Sequence, residues 1–169
     1  MAGVETGVRI STLLAAAALV LVPAAALAIP QVGKPAPAFS LPSPGGKSFV
    51  LNKLRGKPLY VNFFASWCGP CNAEAPGIGK LRAQYARRGL QVLGIDYLDR
   101  PGQAQAFQRK YANPYGLVAI DEDGAVGKQY GAFGMPLHIF IDRRGLVTTF
   151  RVGEMSPAEI ETAIKESLK

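Results

Sequence analysis

A chain of 169 residues with 49% apolar and 18% charged side chains holds enough material for one domain with a proper core. Its net charge of +7 comes from Lys and Arg scattered between Lys34 and Lys169, in no block longer than the pairs Arg87-Arg88 and Arg143-Arg144. No nucleic-acid motif accompanies them, so the charge reads as solvated surface, not as a footprint for nucleic acid or acidic lipid. Two cysteines are too few for a disulfide-stapled scaffold.

The chain opens on a weak n-region ending at Arg9, an uncharged run from Ile10 to Val22, and the small-x-small site Ala26-Leu27-Ala28 after Pro23. Residues 1–28 therefore read as a secretory signal peptide. Residues 10–29 are also about long enough to span a bilayer, so an uncleaved signal anchor is the other reading. Either one places the rest of the chain outside the cytoplasm. Residues 29–47 are rich in Pro, Gly and Ser and form an extended lead-in. Within it Phe39 and Leu41 alternate with polar residues as a short edge strand, and Ser48–Leu51 is its hairpin partner across Gly45-Gly46. The continuous apolar run Leu59–Phe64 suits a strand covered on both faces.

A helix is expected from Cys68 to about Arg88, kinked at Pro76, with Ile78, Leu81 and Tyr85 inward and Gly89 as its stop. A buried strand follows at Gln91–Asp96. Pro101 then opens a helix at its first position, carrying Phe107 and Tyr111 and ending near Asn113-Pro114. Leu117–Ile120 is a short strand, and Asp121-Glu122-Asp123-Gly124 a solvated turn without the further oxygen ligands of a calcium loop. A short helix at Val126–Tyr130 leads to strands Leu137–Ile141 and Leu146–Arg151, joined by Arg143-Arg144-Gly145. Ser156-Pro157-Ala158-Glu159 is a capping box for a last helix with Ile160, Ile164 and Leu168 inward. The order implies an α/β domain, a mixed sheet with helices on both faces, at residues 48–169.

Chemistry concentrates in Trp67-Cys68-Gly69-Pro70-Cys71, at the junction of the central strand and the helix. Both cysteines lie here, three apart, close enough to bond to each other. A thiolate in the first turn meets unpaired N–H groups and the positive end of the helix dipole, which lowers its pKa below the free value of roughly 8.5. Cys68 is then the nucleophile and Cys71 the resolving thiol. A c-type haem attachment needs His after the second Cys, where Asn72 stands. A structural zinc site needs four ligands, and the pair with the distant His138 supplies at most three. A purely structural disulfide would gain more from a longer loop. Two thiolates suit Cu(I), so a non-catalytic copper carrier is a reading of another class. No separate cysteine is placed as a peroxidatic thiol.

With Pro76 in the helix and Gly134-Met135-Pro136 before a late strand, this motif resembles the thioredoxin superfamily from about residue 32 onward. Val32-Gly33-Lys34-Pro35-Ala36-Pro37, Asn62 and Glu74 are similar to the exported TlpA/ResA/CcmG (DsbE) branch. Gly94-Ile95-Asp96-Tyr97, Asn113-Pro114-Tyr115, Asp123-Gly124 and Tyr130-Gly131 resemble its CcmG type. The resemblance implies a thioredoxin-like fold preceded by an N-terminal hairpin, and a thiol–disulfide oxidoreductase whose only redox centre is Cys68–Cys71, with no other cofactor and no metal. It also implies a client such as an apocytochrome c or another exported dithiol protein, a membrane reductase of DsbD/CcdA type as electron donor, and a monomer in the periplasm or anchored to the inner membrane. Gly69-Pro70 is the dipeptide of ordinary thioredoxin, and Leu137 stands where the CcmG type often has an acid. These departures leave a general periplasmic thioredoxin, or a reductant for copper-centre assembly, as the alternative.

Roles carry over residue by residue. Pro136 corresponds to the family's cis-proline, offering the Met135 backbone to an extended client. Trp67 shields the disulfide, and Gly69 and Pro70 face the client. Asn62 stands where cytoplasmic thioredoxins have a buried acid that accepts the resolving thiol's proton. Glu74, one turn past Cys71 on its face of the helix, is the best substitute, raised by desolvation and like charge; a solvent-facing Glu favoured by the helix dipole is the other reading. His138 is expected to be a strand residue with a satisfied ring. Tyr97 and Asp99 lie in the segment where the CcmG type lines its groove.

Overall fold

A computed structural model describes residue 3 and residues 29–169. The predicted signal peptide or anchor thus lies outside the described residues, save for Gly3 and Ile29. Among the described residues no helix is long and apolar enough to cross a membrane.

Two short strands, β1 (Ser40–Pro42) and β2 (Ser48–Val50), pair antiparallel with Leu41 opposite Phe49. The apolar run becomes β3 (Leu59–Phe64), buried at every residue. Helix α1 (Gly69–Tyr85) follows and tightens into a 3-10 turn at Ala86–Arg88, where Gly89 at φ 86° ends it. Then come β4 (Gln91–Tyr97), α2 (Gln103–Lys110), β5 (Leu117–Asp121), α3 (Ala125–Tyr130), β6 (Leu137–Ile141), β7 (Val147–Val152) and α4 (Pro157–Ser167). The main sheet has the order β5-β4-β3-β6-β7. β3, β4 and β5 run parallel, β6 pairs antiparallel with β3, and β7 pairs antiparallel with β6.

Strands buried on both faces need cover on both. On one side Ile78 and Leu81 of α1, Phe107 of α2, and Ile160 and Ile164 of α4 pack with Tyr60, Phe64, Val92 and Phe140. On the other, Val61, Phe63, Ile95 and Ile139 meet Val126 and Tyr130 of α3 together with Ala36, Phe39 and Leu41 from the lead-in. This is the thioredoxin-like fold with its N-terminal hairpin. Gly94 permits a close approach in the first layer, because a Cβ there would lie 2.4 Å from Tyr115 Cδ2 and 2.9 Å from Phe64 Cε1.

The lead-in is held along its length. Gly33 N–H donates to Val147 C=O at 2.8 Å, Val147 N–H to Lys34 C=O at 2.9 Å, and the Tyr130 hydroxyl to Pro37 C=O. Pro30 is buried, and Ile29 lies against Gly131, where an added Cβ would sit 3.5 Å from Ile29 Cγ2.

Two local expectations are corrected. Pro101 does not open α2. Arg100-Pro101-Gly102-Gln103 is a turn closed by Gln103 N–H on Arg100 C=O at 3.1 Å, with Gly102 at φ 88° and ψ −11°. Pro followed by a left-handed Gly is the type II pairing, which takes the chain out of helical geometry before Gln103. The acidic turn is not wholly solvated either. Asp121 ends β5 fully buried, and its carboxylate accepts the N–H groups of Val126 at 3.2 Å and Gly127 at 2.6 Å, capping α3. The capping box forms as read: Ser156 Oγ accepts from Glu159 N–H and Glu159 Oε2 from Ser156 N–H.

Candidate active site

The site grows out of the end of β3. Ala65 is buried and Ser66 half-buried, and Cys68 N–H turns back to Ala65 C=O at 3.1 Å. Cys68 is the N-cap of α1, with extended backbone at φ −82° and ψ 109°. A capping residue ordinarily satisfies a first-turn N–H with an oxygen. Here a sulfur does so, since Cys68 Sγ accepts from Cys71 N–H at 3.2 Å. Cys68 and Cys71 are joined in a disulfide with their Cα atoms 5.3 Å apart.

Two clamps fix this loop. Asp99, just beyond β4, accepts from Ser66 N–H at 2.6 Å and from Ser66 Oγ at 2.9 Å. Asn72 donates through Nδ2 to Ser66 C=O and Cys68 C=O, and its Oδ1 accepts from Tyr111 Oη and Lys110 Nζ. The loop is thereby tied to α2. Neither clamp was read from the sequence. An Asn one turn into a helix and an Asp beyond a strand end carry no local signal of a shared loop.

Cys68 is 5% exposed and Cys71 1%. Cys68 lines an open groove of about 450 Å³ with Trp67, Gly69, Pro70, Phe133 and Met135. Among these, Trp67 is 60% and Phe133 77% exposed. The sequence reading missed Phe133, although a large apolar residue set among Gly131, Ala132 and Gly134 marks an exposed loop tip. The Met135–Pro136 bond is cis. Neither the N–H nor the C=O of Met135 has a hydrogen-bond partner among the described residues. Tyr97 also borders the groove, while Asp99 serves the loop instead.

Glu74 is not among the residues that line the groove. It is only 7% exposed, on the inner stripe of α1 with Cys71, Ile78, Leu81 and Tyr85. Its Oε1 accepts from Met155 N–H at 2.6 Å, and its Oε2 has no hydrogen-bond partner among the described residues. Burial is the main reason that its carboxyl is pushed up to about 7. The Met155 N–H works against that, and the like charge of Glu154 adds to it. His138 is fully buried on β6, opposite Asn62 of β3, with its Nε2 3.6 Å from Glu74 Oε2. Tyr60 Oη lies 2.8 Å and Asn62 Nδ2 3.2 Å from Nδ1, and Gly153 C=O lies 3.1 Å from Nε2. Burial lowers the ring's pKa to about 4. Asn62 Oδ1 accepts from Tyr115 Oη at 2.6 Å, so a line of buried polar groups runs from Glu74 through His138 and Asn62 to Tyr115. Among the described residues no three His, Cys, Asp or Glu side chains are grouped to hold a metal.

An oxidisable pair at a helix start, beside an open apolar groove and on the same helix as a buried acid, is suited to dithiol–disulfide exchange. Known proteins agree. The AhpC/TSA family model matches residues 32–150. The chain is 40% identical over 124 residues to the thiol:disulfide interchange protein DsbE of Pseudomonas fluorescens biotype C, covering 73% of this chain and 67% of that protein. It is 31% identical over 139 residues to the thiol-disulfide oxidoreductase ResA of Bacillus thuringiensis, covering 80% and 78%. The crystal structure of a secreted Mycobacterium tuberculosis disulfide oxidoreductase homologous to Escherichia coli DsbE superposes with a TM-score of 0.68 at 28% identity, over 75% of this chain and 94% of that one. With its redox pair on a thioredoxin-like sheet, the chain belongs to the AhpC/TSA family as a thiol–disulfide oxidoreductase of the DsbE/ResA type.

Proposed function

We propose that the chain is an exported reductant of client disulfides and that its client is the haem-binding cysteine pair of an apocytochrome c. The observation that carries the reading is the capping sulfur: Cys68 Sγ already accepts the Cys71 N–H at 3.2 Å. A thiolate at that point keeps the N–H and faces the positive end of α1, so Cys68 is the more acidic thiol and the nucleophile. In the reduced chain the Cys68 thiolate attacks one client sulfur. A mixed disulfide forms, and the other client sulfur leaves and takes a proton from solvent. Cys71 passes its proton to Glu74 and attacks Cys68 Sγ. The client's second sulfur departs with that proton, restoring the Glu74 carboxylate. Two electrons move from the dithiol to the client, and one proton is drawn from solvent.

The client strand lies along Met135, whose free N–H and C=O suit an added strand beside Pro136. Trp67 and Phe133 flank it, with Gly69 and Pro70 at its floor. Gly69-Pro70 favours the reducing direction, since thioredoxin, with the same dipeptide, has a potential of about −270 mV. The DsbE name of the relatives supports the cytochrome client, and the secreted relative and residues 1–28 support export to the periplasm. A membrane reductase of DsbD/CcdA type resupplies electrons to the monomer, which uses no other cofactor. Leu137 in place of an acid favours a second reading, a general periplasmic thioredoxin or a reductant for copper-centre assembly. A Cys71→Ser variant of the full chain separates the two by freezing the client on Cys68. Recovery of apocytochrome c supports the first reading, and recovery of unrelated exported proteins without it supports the second. In Glu74→Gln, an unshifted pH profile of Cys68 alkylation removes Glu74 from the reaction.

A further inference from the structure

His138 is a buried ionisable group that the exchange scheme leaves unused, and its hydrogen bonds fix both its orientation and its proton. Gly153 C=O can only accept, so Nε2 must carry the hydrogen that spans the 3.1 Å between them. Nδ1 is then the acceptor, and two donors meet it, Tyr60 Oη at 2.8 Å and Asn62 Nδ2 at 3.2 Å. The ring is a neutral Nε2–H tautomer with its one N–H on the side that faces Glu74. Stacking on Tyr60, whose ring lies 6.0 Å away at an interplanar angle of 14°, holds that orientation.

The two oxygens of Glu74 are therefore unlike. Oε1 is occupied by the Met155 N–H, so a proton added to the carboxylate goes to Oε2. Oε2 is the oxygen 3.6 Å from His138 Nε2. We propose that His138 is a positioning residue for the exchange reaction: its Nε2–H, aimed by Tyr60, Asn62 and Gly153, sets how firmly Glu74 Oε2 holds the proton it takes from Cys71 and so how readily it gives that proton up. This rests on Glu74 being the proton acceptor for Cys71. When Glu74 is neutral, the N–H stays on Gly153 C=O. When Glu74 ionises, the charge on Oε2 draws the same N–H into a shared bond, which favours the carboxylate in a site where burial opposes it. Other groups act on the pair from the surrounding elements. Glu154, beyond β7, raises the acid and Arg151 of β7 lowers the imidazole, while Tyr60 of β3 and Tyr115 before β5 remain protonated phenols through the working range.

The test on the unaltered protein is a titration of the full chain, ring-labelled with 15N at its single histidine and 13C-labelled at Glu carboxyls. The Nε2–H signal should step at the Glu74 midpoint, near pH 7, with the imidazole neutral on both sides, and the step should vanish in Glu74→Gln. A flat Nε2 signal through the Glu74 midpoint overturns the proposal. In variants, His138→Leu should raise the Glu74 midpoint by about one pH unit, a tenfold change in proton affinity, and move the pH profile of client release with it. His138→Gln, which keeps a side-chain N–H, should restore the midpoint. An unmoved midpoint in His138→Leu, or equal shifts in both variants, also overturns the proposal. Failure of the underlying reading looks different: the Nε2 step persists, while Glu74→Gln leaves the alkylation profile in place.

Discussion

Replacing Glu74 with Gln should change how stability depends on pH, in a direction fixed by burial. The carboxyl is held up from 4.5 to about 7 in the fold. A group that binds its proton more tightly when folded contributes stability that is fully present below about pH 4.5. That contribution is lost as the pH rises through about 7, because ionisation costs more inside than in the unfolded chain. The window is about 2.5 pH units wide, and at about 1.36 kcal/mol per unit the loss is about 3 kcal/mol. Gln keeps an oxygen for the Met155 N–H and has no charge to bury. Urea unfolding of the oxidised chain from about pH 4 to pH 8, at fixed ionic strength, gives wild-type stability minus that of Glu74→Gln at each pH. That difference should fall by about 3 kcal/mol across the window. Asp96, which burial also raises, to about 8, contributes to both proteins and cancels in the difference. A flat difference curve would refute the reasoning, since it would mean that the carboxyl ionises inside as easily as outside.

The corresponding experiment on His138 should have the opposite sign. Its pKa is lowered to about 4, so its contribution is complete above about pH 6.5 and is lost as the pH falls through about 4; wild type minus His138→Gln should rise with pH. Tyr115→Phe removes the 2.6 Å donor to Asn62 Oδ1 and should cost about 1–3 kcal/mol in urea unfolding, because a buried acceptor is left without a partner. Gly94→Ala forces a Cβ against Tyr115 and Phe64 and should cost about 1–3 kcal/mol, read as a lower thermal midpoint; an unchanged midpoint would contradict the packing. Ser156→Ala opens the capping box and should cost about 1 kcal/mol with client reduction unaffected.

Local patterns carried the parts of this molecule that local physics determines. Leu59–Phe64 is a continuous apolar run and became a strand buried on both faces, and Ser156 with Glu159 formed the cap that their spacing describes. The redox pair was legible because a strand, a turn and a helix start are all written within a few residues of it. Pro101-Gly102 was misread because proline suits both a helix start and a tight turn, and the Gly after it decided the matter. Asp121 was read as solvated because nothing near it says that its carboxylate turns back onto α3. The inner stripe Cys71, Glu74, Ile78, Leu81, Tyr85 does place Glu74 inside, as helical spacing allows. What faces it there depends on β3 and β6 pairing in the register that sets Asn62 opposite His138, and no short stretch of sequence encodes that.

The point where the chain enters the domain bears on access to the disulfide. Ile29 rests on Gly131, two residues before Phe133, so the first residues of the domain buttress the loop that carries Phe133 to the groove. A protein client that presses on Phe133 is sensitive to that support, whereas a small organic disulfide that reaches only Cys68 is not. The ratio of the two reduction rates is therefore a gauge of that support, and Ile29→Ala should favour the smaller partner.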